Sequence, residues 1–265
     1  MKKEFIIFFT AVSFYTRIPT PRSFQQYNQN YLNEAIKYFP LIGWVAGFVA
    51  GVILFACNII FGLPIAIALS MISSVLLTGA FHEDGFADVC DGFGGGWTKE
   101  KILDIMTDSR LGTYGVTGLI AILSLKFLSI HQLLSLPENT SGFLLTLLIF
   151  ITAHSVSRFV AATLIFSNSY VRVTESKAKP ATQKSGKTNL SVAALFAFVP
   201  LVTLVILSGK LSLLFILVPL YVTKKYFSWY FTKWIGGYTG DCLGAVQQVS
   251  EVVIYLSLII LWKFT

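Results

Sequence analysis

Four carboxylates stand close together in one short stretch of the chain. Asp84, Asp88 and Asp91 are spaced i, i+4 and i+7, with Glu83 beside the first of them, so on a helix the three aspartates lie on one face. Like charges at this spacing repel each other and destabilise a helix unless a cation neutralises them. Oxygen ligands of this kind suit Mg²⁺ or Mn²⁺. We therefore predict a Mg²⁺ site with Glu83, Asp84, Asp88 and Asp91 as candidate ligands, with capping of a helix as the alternative role for Asp91.

A glycine-rich turn and a second polar motif follow this acidic stripe. Gly94 and Gly95 leave backbone amides open to the approach of a phosphate group. Asp108, Ser109 and Arg110 come shortly after them. A guanidinium binds phosphate oxygens through paired donors, which makes Arg110 a candidate phosphate ligand.

Further polar residues occupy a second glycine-rich segment and a long apolar segment. Residues 235–246 include Tyr238 and Asp241, both candidate substrate contacts. Asp241, like Glu251 further on, is predicted to add an oxygen ligand or to orient a hydroxyl, with capping of a helix as the alternative role for Asp241. Arg158 lies inside an apolar run, so it either faces the bundle interior and binds substrate or extends its charge to the membrane surface. His154, one helical turn earlier, is interpreted as a hydrogen-bonding residue rather than as a base.

The elements that must position these residues are strongly apolar. Hydrophobic residues make up 55% of the chain and charged residues 12%, whereas a soluble protein carries about 25% charged residues. Apolar runs of roughly 18–24 residues match a hydrocarbon core about 30 Å thick. The sequence therefore predicts an all-α, polytopic integral membrane helical bundle, and it excludes a soluble Rossmann domain, a secreted disulfide scaffold and a disordered chain.

We predict about 6–7 transmembrane helices in a single domain over residues 1–265, preceded by a short interfacial or re-entrant helix at 5–14. Lys126 falls within one of these segments, where lipid-interface contact or helix pairing is expected and no further role is assigned. The segments that cross or enter the bilayer are 39–60, 63–80, 114–136, 142–166, 190–208, 211–222 with an extension to 234, and 246–262.

The basic residues are distributed unequally between the two sides of this bundle. If the N-terminus is cytoplasmic, the segments 1–38, 81–113, 167–189 and 223–245 hold 16 of the 20 lysines and arginines. This bias follows the positive-inside rule and predicts that the acidic segment 81–115 acts at the cytoplasmic face. The basic loop 167–189 suits a phosphorylated substrate or anionic lipid headgroups, or else serves only as an orientation signal. Nucleic acid is not an expected partner.

Four blocks of the sequence resemble the cobalamin synthase family, whose members are adenosylcobinamide-GDP ribazoletransferases. The blocks occur in the family's order, and the resemblance as a whole runs from about residue 8 to about residue 251. Segment 172–186 is more lysine-rich than the corresponding family loop, so no residue role is assigned there. The four blocks are 14–19, 78–95, 105–115 and 236–245.

The resemblance implies a transferase of a bacterial or archaeal plasma membrane that joins α-ribazole or α-ribazole phosphate to adenosylcobinamide-GDP, releases GMP and requires Mg²⁺. On this basis a ribazole hydroxyl attacks the phosphorus attached to cobinamide, and Arg110 and Arg17 bind phosphate oxygens. Asp108 or His82 accepts the hydroxyl proton. Ser109 is a further candidate substrate contact, and membrane lipids and a second copy of the chain are the other expected partners.

Two other functions were compared with this one. A CDP-alcohol phosphatidyltransferase also uses membrane-embedded aspartates, but its pattern places Ala-Arg three residues after Asp-x-x-Asp-Gly, and Phe93 and glycines follow here. A secondary transporter would use Asp84, Asp88, His154 and Arg158 as an ion path. Transporters often contain two related halves, and we find no internal repeat in the sequence.

Overall fold

The computed structural model describes residues 2–24, 28–136, 142–171 and 186–264. Within these ranges the chain is almost entirely helical and contains no β-strand, which confirms the all-α prediction. The α-helices are α1 Lys2–Tyr15, α2 Gln29–Ala35, α3 Phe39–Phe61, α4 Leu63–Thr78, α5 Phe81–Gly95, α6 Lys99–Ile105, α7 Thr113–Leu134, α8 Phe143–Ser167, α9 Lys187–Ser208, α10 Leu217–Ile235 and α11 Gly240–Phe264.

Six helical segments of the described chain are long and apolar enough to cross a membrane, and α4 with α5 forms a seventh candidate as a pair bent by 90°. This identifies the chain as an integral membrane protein and confirms the predicted number of spans. The six segments are Asn30–Phe61, Thr113–Leu134, Phe143–Ser167, Thr188–Ser208, Leu211–Ile235 and Gly240–Phe264. The N-terminal α1 is shorter, with 14 residues, and packs on α2 through an ion pair between Lys3 and Glu34.

Two predicted connections are partly helical in the structure. The segment predicted at 81–113 begins with the 15-residue helix α5. In the segment predicted at 223–245, α10 ends at Ile235, which confirms the extension predicted to 234, and α11 begins at Gly240 rather than at residue 246. Glycine and aspartate in these stretches indicate turns by their local propensity, but tertiary packing stabilises helices there.

A tight turn directs α5 away from the axis of α4. Gly79 and Ala80 both have left-handed backbone angles, with φ of 67° and 59°, and the Ala80 amide donates to the Val75 carbonyl at 2.9 Å. The side chain of Arg17 lies directly against Gly79, where a Cβ atom would collide with the guanidinium. The turn therefore requires glycine at position 79 and sets the 90° bend.

Helix α5 packs very closely on the beginning of α11. A Cβ atom on Gly85 would lie 2.9 Å from the Asp241 Cα, and one on Gly244 would lie 3.0 Å from the His82 carbonyl oxygen. Small residues allow helix backbones to approach in this way. Helices α8 and α11 are the central ones, with 61% of each span buried, compared with 17–33% for the other span-length helices.

Candidate active site

The C-terminal end of α5 is held by Asp91. Both of its carboxylate oxygens accept backbone hydrogen bonds at 2.8 Å, one from the Gly112 amide and one from the Gly115 amide. These amides belong to the first turn of α7, where free N–H groups and the helix dipole favour a negative charge. Asp91 thus caps a neighbouring helix, which is the alternative role that the sequence analysis left open.

Removing this cap is expected to destabilise the protein in proportion to the acceptors lost. Asp91→Ala leaves two amides without an acceptor and is expected to cost about 1–3 kcal/mol of unfolding free energy. Asp91→Asn keeps one acceptor oxygen and is expected to cost less. Chemical or thermal unfolding of the purified proteins in detergent measures their stabilities, which should decrease from the parent to Asp91→Asn to Asp91→Ala. An alanine variant as stable as the parent would contradict the capping role.

The N-terminal end of α5 is held by Glu83. This side chain is buried, and its Oε1 accepts a hydrogen bond of 2.9 Å from the Gln248 side-chain amide on α11. The neighbouring His82 is also buried and stacks on Phe39 with ring centroids 5.7 Å apart. Among the described residues, no hydrogen-bond partner reaches the His82 Nε2 atom. Both side chains point into the helical bundle.

The other two carboxylates of the stripe are more accessible. Asp84 is exposed and Asp88 is half-buried. Because they are four residues apart on a regular helix, their Cβ atoms lie about 5–6 Å apart on one face. The four carboxylates therefore differ in exposure: Glu83 and Asp91 are buried and accept hydrogen bonds from protein groups, whereas Asp84 is exposed and Asp88 is half-buried.

Two further predicted residues lie near this pair. The backbone of Asp241 contacts Gly85, and its half-buried carboxylate accepts a hydrogen bond of 3.2 Å from the Thr239 hydroxyl. Arg17 is exposed beside the turn that starts α5, and its backbone amide donates to the Leu77 carbonyl at 2.8 Å. The fold thus brings segments 14–19, 78–95 and 236–245 together.

An open cavity of about 720 Å³ lies beside the C-terminal end of α5. Four predicted site residues line it: Asp91, Gly95, Asp108 and Arg110. Gly94 lies directly beneath the ring of Tyr114, which is another lining residue, and Ser109 is exposed at the same loop. The rest of the lining is Lys101, Asp104, Ile105, Thr107, Leu111, Gly112 and Thr113.

Asp108 and Arg110 form a charged pair at this cavity. The Arg110 Nη2 atom lies 2.6 Å from Asp108 Oδ2, and the backbone amide of Arg110 donates to Asp108 Oδ1 at 3.0 Å. The guanidinium lowers the pKa of the Asp108 carboxyl from 3.8 to about 2. A carboxylate with so low a pKa accepts protons poorly near neutral pH, so the pairing favours a role for Asp108 in orienting Arg110.

Tyr238 joins two of the connecting segments. It is buried, and its ring meets that of Tyr170 edge to face at 5.7 Å. The Tyr238 amide donates to the Ser169 carbonyl at 2.9 Å, and the Val171 amide donates to the Tyr238 carbonyl at 3.1 Å. These contacts fix the end of α8 against the turn between α10 and α11. Most of the predicted basic loop, residues 172–185, lies outside the described residues.

Arg158 does not extend to the membrane surface, contrary to one of the two alternatives predicted for it. Only 2% of its surface is exposed, because α8 is one of the two most buried spans of the bundle. Its Nη1 atom donates to the His154 carbonyl at 2.8 Å and lies 3.2 Å from His154 Nδ1. The guanidinium also stacks over Phe39, with Cζ 5.8 Å from the ring centroid.

Lys126 joins α7 to α11 in a buried ionic network, which confirms helix pairing, one of the two roles expected for it, and excludes contact with lipid. The Lys126 Nζ atom lies 2.7 Å from Gln248 Oε1 and 3.3 Å from Glu251 Oε1. Gln247 donates to Glu251 at 2.8 Å and to the Ser157 hydroxyl at 3.2 Å. A cluster of polar residues at 247, 248 and 251 within an apolar helix was the available signal, but it did not reveal which residues on other helices pair with it.

No group of three or more histidine, cysteine, aspartate or glutamate side chains is arranged to hold a metal ion within the described parts of the chain. The candidate ligands Glu83 and Asp91 are engaged with protein groups, and Asp84 and Asp88 supply two carboxylates. Two carboxylates match the protein contribution that is common for Mg²⁺, which completes its coordination with water and substrate phosphates.

The fold and the site define a polytopic helical membrane protein with a carboxylate pair and an arginine-lined cavity at one end of the bundle. A family model described as cobalamin-5-phosphate synthase matches residues 7–259, and the chain belongs to this family. Curated relatives cover nearly its full length. An adenosylcobinamide-GDP ribazoletransferase of Shewanella amazonensis is 42% identical over 99% of this chain and 98% of its own.

A second relative with the same printed name, from Vibrio parahaemolyticus, is 39% identical over 99% of this chain and 95% of its own. A third, from Shewanella oneidensis, is 42% identical over 97% of this chain and 95% of its own. No solved structure matches the chain. The family assignment agrees with the resemblance stated from the four sequence blocks.

Proposed function

We propose that this protein is an adenosylcobinamide-GDP ribazoletransferase that joins α-ribazole or α-ribazole phosphate to adenosylcobinamide-GDP. The hydroxyl oxygen of the ribazole forms a bond to the phosphorus attached to cobinamide and gives up its proton to a base of the site or to water. The bond between that phosphorus and the bridging oxygen breaks, and GMP leaves with the electron pair. The full-length similarity to relatives of that name supports the reaction. The observation that carries the site is that Asp84 and Asp88 stand on α5, whose residues Asp91 and Gly95 line the cavity that Arg110 also lines.

The residues of the site fit a Mg²⁺ ion held by Asp84 and Asp88. They form a pair of hard oxygen donors one helical turn apart, at least one of them open to solvent. When bound, Mg²⁺ neutralises diphosphate charge and stabilises the oxygen that leaves with GMP. The backbone of Asp241 contacts Gly85 of α5, which supports a role for its carboxylate in orienting the attacking hydroxyl.

The basic side chains of the site would bind the phosphates of the donor substrate. Arg110 and Lys101 line the cavity, and Arg17 lies at the other end of α5, beside Gly79. Phosphoryl transfer depends mainly on positioning and charge stabilisation, so two carboxylates and several cations supply the required groups. Asp108 holds Arg110 in the orientation in which its donors face the cavity.

The test is product formation by the purified full-length protein in liposomes. Adenosylcobinamide-GDP is supplied with α-ribazole or with α-ribazole phosphate, with and without Mg²⁺, and both GMP and the new corrinoid are measured. We expect the two products in equal amounts and only when Mg²⁺ is present. Folded protein that forms neither product, with either acceptor, would refute the proposal.

The pH dependence of this reaction tests the role of Asp108. Its pKa of about 2 means that the carboxylate keeps its charge as pH falls and loses the pairing with Arg110 only as the pH approaches that value. We expect Asp108→Asn to weaken substrate binding and raise KM, and to leave the shape of the rate profile unchanged between about pH 5 and pH 9. Disappearance of one limb of the profile would instead identify Asp108 as the base.

We further propose that the site faces the cytoplasm from a bacterial or archaeal plasma membrane, because 16 of the 20 basic residues fall in the segments assigned to that side. Trp97, which joins α5 to α6, is 83% exposed and offers a labelling position. With the native cysteines removed, Trp97→Cys should react with a membrane-impermeant maleimide in inverted vesicles and not in right-side-out vesicles. The opposite labelling pattern would reverse the orientation.

A further inference from the structure

Gln248 lies where three helices meet inside the bundle. Its side-chain amide nitrogen donates to Glu83 Oε1 on α5 and to Gln247 Oε1 on α11, each at 2.9 Å. Its amide oxygen accepts from Lys126 Nζ on α7 at 2.7 Å. Only 2% of Gln248 is exposed. One uncharged side chain therefore connects the acidic helix to a buried cation and to a central helix.

The inward face of α5 combines small residues with aromatic rings. Gly85, Ala87 and Gly92 are buried and permit close approach, while His82 stacks on Phe39 and Phe93 meets the ring of Phe231. Hydrogen bonds at the two ends of the helix add directional restraints on its rotation about its own axis. Asp91 provides those at one end, and the bond between Glu83 and Gln248 provides the one at the other.

The rotation of α5 matters because Glu83 and Asp84 are adjacent in sequence. Successive residues of a helix are separated by about 100° around its axis. With Glu83 directed to Gln248 in the interior, Asp84 is directed outward together with Asp88. A small rotation of α5 would change the separation between these carboxylates and the phosphate-binding side chains.

We propose that Gln248, supported by Lys126, is a positioning residue that sets the rotation of α5 and so places Asp84 and Asp88 for metal-assisted transfer. The effect of Gln248 on catalysis rests on the proposed function, whereas its effect on the rotation of α5 does not. The network around it is electrically balanced, with Lys126 and Arg158 opposed to Glu83 and Glu251. Gln248 links Lys126 to Glu83 by hydrogen bonds and adds no charge to this network.

The experiment exchanges the partners of the hydrogen bond. Gln248→Glu places a carboxylate against Glu83, and Glu83→Gln alone removes the charge that Gln248 faces. In the double variant Glu83→Gln/Gln248→Glu, the amide at position 83 donates to the carboxylate at position 248, which also accepts from Lys126, so net charge is unchanged. Ser157→Ala is the matched control, because it removes a hydrogen bond on the α8 side of the network without touching α5.

Two measurements are made on full-length protein in lipid nanodiscs. Hydrogen exchange of peptides from α5 is expected to accelerate in Gln248→Glu and to return to the parent rate in the double variant. The Mg²⁺ concentration for half-maximal activity is expected to rise about 10–100-fold in Gln248→Glu, as for other residues that support metal ligands, with a smaller change in kcat and with recovery in the double variant. Ser157→Ala should leave both readouts unchanged.

The results separate this inference from the proposed function. If the parent protein forms no product, the exchange measurement alone decides whether Gln248 fixes α5. Unchanged exchange of α5 in Gln248→Glu, or acceleration spread equally over all helices, would overturn the positioning role. So would a double variant that remains as impaired as Gln248→Glu.

Discussion

Asp84→Asn is expected to abolish metal-dependent release of GMP while leaving the protein folded. The change keeps the shape of the side chain and removes a negative charge from the accessible carboxylate pair. Loss of one electrostatic contact to a reacting centre commonly lowers kcat by about 100-fold or more, and loss of a ligand from a two-carboxylate site should reach at least that value. Stability should not fall, because Asp84 is exposed and its repulsion of Asp88 is relieved.

The measurement is the rate of GMP and corrinoid formation over a range of Mg²⁺ concentrations. Asp88→Asn should give a loss in the same direction, and higher Mg²⁺ should restore part of the activity in both variants. Glu100→Gln is the matched control, because Glu100 is an exposed carboxylate on α6 outside the cavity lining. If Asp84→Asn formed GMP and the corrinoid at the parent rate, the carboxylate pair would have no part in the proposed mechanism.

Lys126→Met is expected to cause the largest loss of stability among the buried sites. Only 5% of Lys126 is exposed, and it pairs with Glu251, of which 2% is exposed. Removing one partner of a buried ion pair leaves an uncompensated charge, which typically costs about 3–5 kcal/mol. Within the described residues Glu251 still contacts the Gln247 amide and His154, neither of which supplies the direct ion pair that Lys126 provides.

The double variant Lys126→Met/Glu251→Gln should regain most of this loss, because both buried charges are removed together. Unfolding by denaturing detergent, followed by tryptophan fluorescence, measures all the variants. Lys263→Met is the control, since Lys263 is exposed at the end of α11 and such changes usually alter stability by less than about 0.5 kcal/mol. If the single and double variants were equally unstable, the ion pair would not be the source of the loss.

The spans were predictable from the sequence because apolar length alone determines them. The segment predicted at 39–60 is α3 Phe39–Phe61, and that at 142–166 is α8 Phe143–Ser167. The first turns of α11 were not predicted, because Gly240, Asp241 and Gly244 resemble a loop by propensity. Their helix depends on packing against α5, a contact between residues more than 150 positions apart. The single domain over 1–265 stays a prediction.

The site was predictable at the level of segments and less so at the level of single residues. The spacing of Asp84, Asp88 and Asp91 correctly indicated a helix, but it gave all three the same environment. In the structure Asp91 meets the amides of α7, and Glu83 meets Gln248 on α11. Such pairings across helices depend on how the helices are arranged in space, which periodicity along one helix does not contain. The partners of Lys126 were not predicted for the same reason.

The close crossing of α5 and α11 also determines when the buried charges of α5 and α7 find their partners during synthesis. Helix α11 leaves the ribosome after both of these helices, and it carries Gln248 and Glu251, the partners of Glu83 and Lys126. Until it inserts, the earlier helices hold buried charges without these partners, a costly state inside a bilayer. A chain that ends before α11 therefore lacks both its catalytic geometry and its charge balance, which makes a truncated product a ready target for membrane quality control.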